Sequence, residues 1–164
     1  EMKSTGEVMG IDRTFEAALA KTLMASDLAL KPGNSILLSI SDRTKADALP
    51  LIRQMVTSGF RLYATEGTAK MIEALDLPVT TVTKVLSGQH PNVVDVIMDG
   101  SVNCVLNTSE NRFTGSLRDG FHIRRAAAEK RISCFTSIDT MRAAVQALAS
   151  ASEYEIATLR EYVE

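Results

Sequence analysis

The apolar positions of this chain fall into short blocks that change period repeatedly. Phe15, Ala18, Leu19 and Leu23 are spaced as on a helix, with Asp12 or Thr14 available as a cap, which predicts one helix within 11–29. Lys31-Pro32-Gly33-Asn34 then breaks the chain. Ile36-Leu37-Leu38-Ser39-Ile40 follows as a continuous apolar run, the signature of a strand covered on both faces. A helix carrying Leu49, Ile52, Met55 and Val56 comes next, with Asp47 as its expected N-cap, Pro50 in its first turn and Gly59 as its stop.

The same alternation continues to the end. Strands are predicted at 60–64, 79–82, 102–106 and 132–135, and helices at 68–75, 92–98, 121–130 and 140–149. Five strands, each followed by about ten helical residues, imply parallel pairing through right-handed crossovers. The expected fold is therefore α/β: a three-layer α/β/α sandwich with a five-stranded parallel sheet, Rossmann-like. Ile156, Leu159 and Val163 suggest a last helix on the outside.

Composition narrows the classes of function. With 164 residues, 45% of them hydrophobic and 23% charged, the chain is sized for one globular domain. Eighteen basic and twenty acidic residues leave a net charge of −2, too balanced for the electrostatic footprint of a nucleic-acid binder. No apolar run reaches the roughly 18 residues that span a bilayer, and Glu1-Met2-Lys3-Ser4 lacks a signal-peptide core, so the expectation is a cytoplasmic protein without a membrane partner. Cys104 and Cys134 sit in apolar runs and read as packed thiols. Glu1 precedes the first methionine, and the chain reads as a piece of something larger.

In an open parallel sheet, ligands bind beyond the carboxyl ends of the strands, where strand order reverses. Those positions hold Ser41-Asp42-Arg43-Thr44-Lys45, Thr65-Glu66-Gly67-Thr68, Thr83-Lys84 and Asn107-Thr108-Ser109. Lysines, hydroxyls and an amide in that setting suit a phosphate. Thr65 and Thr68 flank a helix start, whose unpaired N–H groups and dipole favour an anion, and Gly67 permits close backbone approach. Lys45 and Lys84 add point charges. Each has a plainer reading as well: Thr65 as an N-cap, the lysines as solvated charges, Asn107 as a turn residue. Convergence on one sheet edge favours the anion site.

Catalytic chemistry is poorly represented. His90 and His122 have no recognisable nucleophile or acid partner, no metal motif or phosphate-binding P-loop occurs, and Arg124 and Arg125 read as surface residues of which at most one can face a site.

Taken together, Tyr63-Ala64-Thr65-Glu66-Gly67-Thr68-Ala69, Thr83-Lys84-Val85 with Ser87-Gly88, Asn107-Thr108 and Ile123-Arg124-Arg125-Ala126 resemble the methylglyoxal-synthase-like domain at the C-terminus of the carbamoyl phosphate synthetase large subunit. The leader Met2 to Gly10 resembles the end of the preceding ATP-grasp half, which implies residues 1–30 as the tail of that region with a linker helix and 31–164 as the effector-binding domain. The resemblance implies regulation: a nucleotide effector, UMP or IMP, self-association, and no catalytic residue or cofactor in this chain. The parent ligase would use ATP with Mg or Mn, bicarbonate and ammonia from a glutaminase small subunit, feeding pyrimidine and arginine biosynthesis. Carried over by position, the phosphate would be met by Lys45, Thr65, Gly67, Thr68 and Lys84, with further contacts from Asn107, Thr108 and Ser109. Cys134 stands near where some relatives place a tyrosine linked to ornithine, and the chain has no tryptophan of the kind used for N-acetylglutamate. Two alternatives remain: methylglyoxal synthase itself, whose Gly-Asp and His-Asp-Pro patterns are missing, and a purely structural oligomerisation module.

Overall fold

A computed structural model describes residues 8–26, 28, 30–108, 116–150 and 156–163. It forms two compact units: residues 31–142, and the described parts of 1–30 and 143–164. In the larger unit, strands β1 (Ser35–Ser39), β2 (Arg61–Thr65), β3 (Thr80–Val82), β4 (Cys104–Asn107) and β5 (Ser133–Phe135) make one all-parallel sheet in the order β3-β2-β1-β4-β5. The α/β expectation holds. The chain enters at the central strand, winds outward to β3, then returns across β1 to start β4. That return places the reversal of strand order between β1 and β4, where an open sheet leaves a crevice at its carboxyl edge.

The first helix of this unit, α2 (Lys45–Thr57), starts earlier than its apolar pattern suggests. A 3-10 turn at Asp42–Thr44 runs straight into it, so Thr44 rather than Asp47 is the N-cap, and Pro50 is the sixth helical residue. Pro50 therefore removes one hydrogen bond, to the carbonyl of the exposed Ala46, a defect that water can satisfy. The buried face is Ala48, Leu51, Ile52 and Met55, with Leu49 and Val56 only half-buried. The helix ends as expected: Gly59, at φ +82°, lets its N–H reach the Val56 carbonyl and the Phe60 N–H reach Met55.

Helices α3 (Glu66–Glu73), α4 (Val93–Met98) and α5 (Ser116–Lys130) follow their strands. Asn92 caps α4 in a reciprocal box with Asp95. On one sheet face, Leu37, Val82 and Val105 pack with Val93, Val96 and Ile97 of α4 and Ile123, Ala126 and Ala127 of α5. Ile36 and Leu38, whose side chains alternate to the other face, are equally sequestered, so β1 is covered on both sides. Cys104 is level with Ser133, and Cys134 with Val105, so the two thiols face opposite sides of the sheet and both are free. Burial pushes the Cys104 thiol up to about 12.

The smaller unit contains α1 (Phe15–Ala25), the later turns of α6 (Ile138–Ser150) and the short α7 (Leu159–Val163). Thr14 caps α1 by accepting the Ala17 N–H at 3.3 Å. Its buried positions are Ala17, Ala20 and Leu23, while Phe15 is exposed. Alanine weighs little in a hydrophobic pattern, so the apolar stripe of the sequence runs through Phe15 while the face that packs runs through Ala17 and Ala20. Lys21 joins this unit internally, pairing with Asp12 at 2.7 Å and donating to the Tyr162 hydroxyl at 3.0 Å.

Candidate functional site

Threonine hydroxyls tie together the loops at the carboxyl edge. The Ile40 N–H donates to Thr68 Oγ1 at 3.1 Å, joining the end of β1 to the first turn of α3. The Ser41 N–H donates to Thr108 Oγ1 at 2.8 Å, joining it to the end of β4, and Thr44 Oγ1 lies 3.1 Å from the same hydroxyl. Thr68 is 1% exposed and Thr65 4%, so these groups are interior fittings of the site.

Between these loops lies a cavity of about 250 Å³. Its wall includes Lys45, Thr65, Gly67, Thr68 and Lys84, Asn107 and Thr108 at the end of β4, and Asp119, Gly120 and Arg124 of α5. Ser109 lies outside the described residues. Thr65 occupies the N-cap position of α3, yet its side chain caps no amide of the first turn; its hydroxyl instead donates to Thr68 Oγ1 at 3.4 Å. The amides of that turn thus open toward the cavity with the positive end of the helix. Lys45 Nζ sits directly above: a Cβ placed on Gly67 would lie 3.4 Å from it.

Three cations and two carboxylates face this space. Lys45 Nζ pairs with Asp42 Oδ1 at 2.5 Å. That hydrogen bond, helped by the charges of Lys45 and Lys84, holds the Asp42 carboxyl below the usual carboxylate range. Arg124 Nη1 donates to Asn107 Oδ1 at 2.6 Å. Asp119 is 7% exposed, and its Oδ1 accepts no hydrogen bond among the described residues. A buried acceptor without a donor is costly unless something else supplies one.

Sequence reasoning missed the α5 contribution. The helix begins at Ser116, five residues ahead of its expected start at Phe121, because Leu117 is the single apolar side chain among its first five residues and sets no period by itself. The surface reading needs correction for Arg124, which lines the cavity, and not for Arg125, which pairs with Glu129 at 2.8 Å on the outer face. Adjacent helical residues point about 100° apart, so the helix sorts the pair. His90 stands elsewhere, on Asp95 in the loop before α4, and His122 packs edge-on against Phe121. A second, wider hollow of about 710 Å³ lies beside Arg43, Asp47, Asp139 and Arg142, and of its two arginines Arg142 is paired with Asp139 at 2.7 Å. Among the described residues no cluster of His, Cys, Asp or Glu is placed to hold a metal, and no helix is long and apolar enough to cross a membrane.

A family model for the MGS-like domain matches residues 47–136, more than half of the chain and the whole stretch from the first turn of α2 to the end of β5. The chain belongs to the MGS-like domain family. Over 148 residues, 90% of its length, this MGS-like domain is 49% identical to the carbamoyl phosphate synthase large chain of Thermomicrobium roseum. It spans 14% of that relative. The cavity of the MGS-like domain is formed almost wholly by segments within or next to the matched region, with Lys45 two residues ahead of it.

Proposed function

We propose that this MGS-like domain is a regulatory module of a carbamoyl phosphate synthase large chain and that its cavity binds a nucleoside monophosphate, UMP or IMP, without transforming it. The observation that carries this reading is that Lys45, Lys84 and Arg124 line one cavity together with the uncapped start of α3. A phosphate dianion there would gain charge-assisted hydrogen bonds worth about 1.5–3 kcal/mol each, enough for micromolar to millimolar affinity. Asp119 supports an effector with hydroxyl or amide donors beyond its phosphate, because it is a buried acceptor in the wall of the same cavity. The synthase chemistry, with ATP and its Mg or Mn and the glutaminase subunit, would belong to the rest of such an assembly, and self-association would be modulated by the bound effector.

Lyase chemistry is less well served. A general base works best with a pKa near the working pH, and Asp42, the carboxylate nearest the lysines, is ion-paired and shifted further from neutrality. The test is calorimetric titration of UMP and IMP, with Lys45→Ala and Lys84→Ala as controls. Saturable binding weakened about tenfold or more in each variant is expected. No heat from either nucleotide at millimolar concentration, or affinity unchanged in both variants, overturns the proposal, as does formation of methylglyoxal from dihydroxyacetone phosphate.

A further inference from the structure

Thr44 stands at the N-cap of α2, yet its hydroxyl reaches no amide of the first turn. An N-cap hydroxyl ordinarily accepts from an amide two or three positions into the helix. This one donates instead to the Ser41 carbonyl at 3.2 Å, and it lies 2.9 Å from Ser41 Oγ and 3.1 Å from Thr108 Oγ1. Thr108 Oγ1 in turn accepts the Ser41 N–H at 2.8 Å. With the Thr44 proton on the carbonyl, the contact between the two threonines is a bond from Thr108 to Thr44. A ring closes: Ser41 N–H to Thr108, Thr108 to Thr44, Thr44 to the Ser41 carbonyl. We infer that Thr44 is a positioning residue of the anion site, which through this ring holds the turn that delivers Lys45, so that the ammonium stands over the start of α3 before a ligand arrives.

The physical grounds are connectivity and burial. Thr44 is the residue before Lys45, so the ring fixes the backbone from which the lysine reaches Gly67. Its anchor is firm: Thr108 is 9% exposed, follows directly on β4, and donates its N–H to the Ser39 carbonyl at 3.1 Å, at the end of β1. Thr44 lines the second hollow and not the cavity, whereas Thr108 lines both. A ligand in the cavity therefore meets Lys45 but not Thr44, and any influence of Thr44 on affinity passes through the turn. A lysine on a loosened turn is on target only part of the time, and the apparent affinity falls by the fraction of the arrangement that is competent to bind. This inference rests on the phosphate-binding reading above.

The test titrates UMP and inorganic phosphate calorimetrically into the wild-type protein, Thr44→Val and Thr44→Ser, each with and without Lys45→Ala. Thr44→Val is expected to weaken both ligands roughly three- to tenfold, the equilibrium worth of one hydrogen bond. Thr44→Ser, which keeps the hydroxyl, should change them less than about twofold. In the Lys45→Ala background the loss from Thr44→Val should also shrink below about twofold, because the turn then has no ammonium to deliver. A residue that only stabilises the fold would lower the urea midpoint without producing that pattern of affinities. Thr44→Ala runs beside Thr44→Val, so that crowding of the Ser41 carbonyl by the added methyl is told apart from loss of the hydroxyl. Unchanged affinity in both hydroxyl-free variants, an equal loss without Lys45, or a loss of the same size in Thr44→Ser overturns the positioning role and spares the binding reading. Absence of binding by the wild-type protein overturns both.

Discussion

Arg124 Nη1 donates to Asn107 Oδ1 at 2.6 Å, so a helix residue seventeen positions downstream holds the amide at the end of β4 in one orientation. The contact fixes which atoms Asn107 shows the cavity and brings a third cation to its wall. Arg124→Ala is expected to weaken UMP and IMP binding about tenfold, the scale of a charge-assisted bond. Arg125→Ala, which loses only the exposed pair with Glu129, should change binding less than twofold. Calorimetry on the two variants checks the difference.

Gly120 makes room for that contact. A Cβ there would lie 3.0 Å from Arg124 Nη1 and 3.2 Å from Asn107 Oδ1. Because Gly120 is inside α5, Gly120→Ala should stabilise the helix by up to about 1 kcal/mol while displacing the flexible guanidinium. The expected result is a higher urea midpoint with weaker nucleotide binding. Equal or tighter binding would contradict the role given to Arg124.

Thr68 holds the β1 loop to α3. Removing its hydroxyl in Thr68→Val strands the buried Ile40 N–H, at a cost of about 1–3 kcal/mol. Urea denaturation should show that loss, with Thr68→Ser recovering most of it.

Acid should weaken the fold through carboxylates that are held ionised. Asp95 is lowered from the ordinary 3.8 by the Asn92 N–H and then by His90, Asp99 by the Ser101 hydroxyl and N–H, and Asp42 by Lys45. Each has a folded pKa below its unfolded one, so the unfolded chain binds more protons in that window. Their stabilisation is full above about pH 4 and is lost as pH falls through the folded values. The urea midpoint should therefore be flat from pH 7 to 5 and fall below 4, and Asp95→Asn should reduce the fall.

The order and type of the elements were legible along the chain because continuous apolar runs and glycine stops report local conformation directly. The run from Ile36 reads as a doubly covered strand and lies in β1 up to Ser39, and Gly59 reads as a helix stop and ends α2. The strand-end residues were legible too, since parallel topology sends every ligand-facing loop to one edge. What needed the tertiary structure was anything set by relations between distant segments. Asp119 and Arg124 reach the cavity from a helix that packs beside α4, Thr65 spends its hydroxyl on Thr68 instead of an amide, and Asp42 lies on Lys45. A pattern of polarity records how each residue meets solvent, whereas the partner of a charged or hydrogen-bonding side chain depends on which other segment the fold brings within about 3 Å.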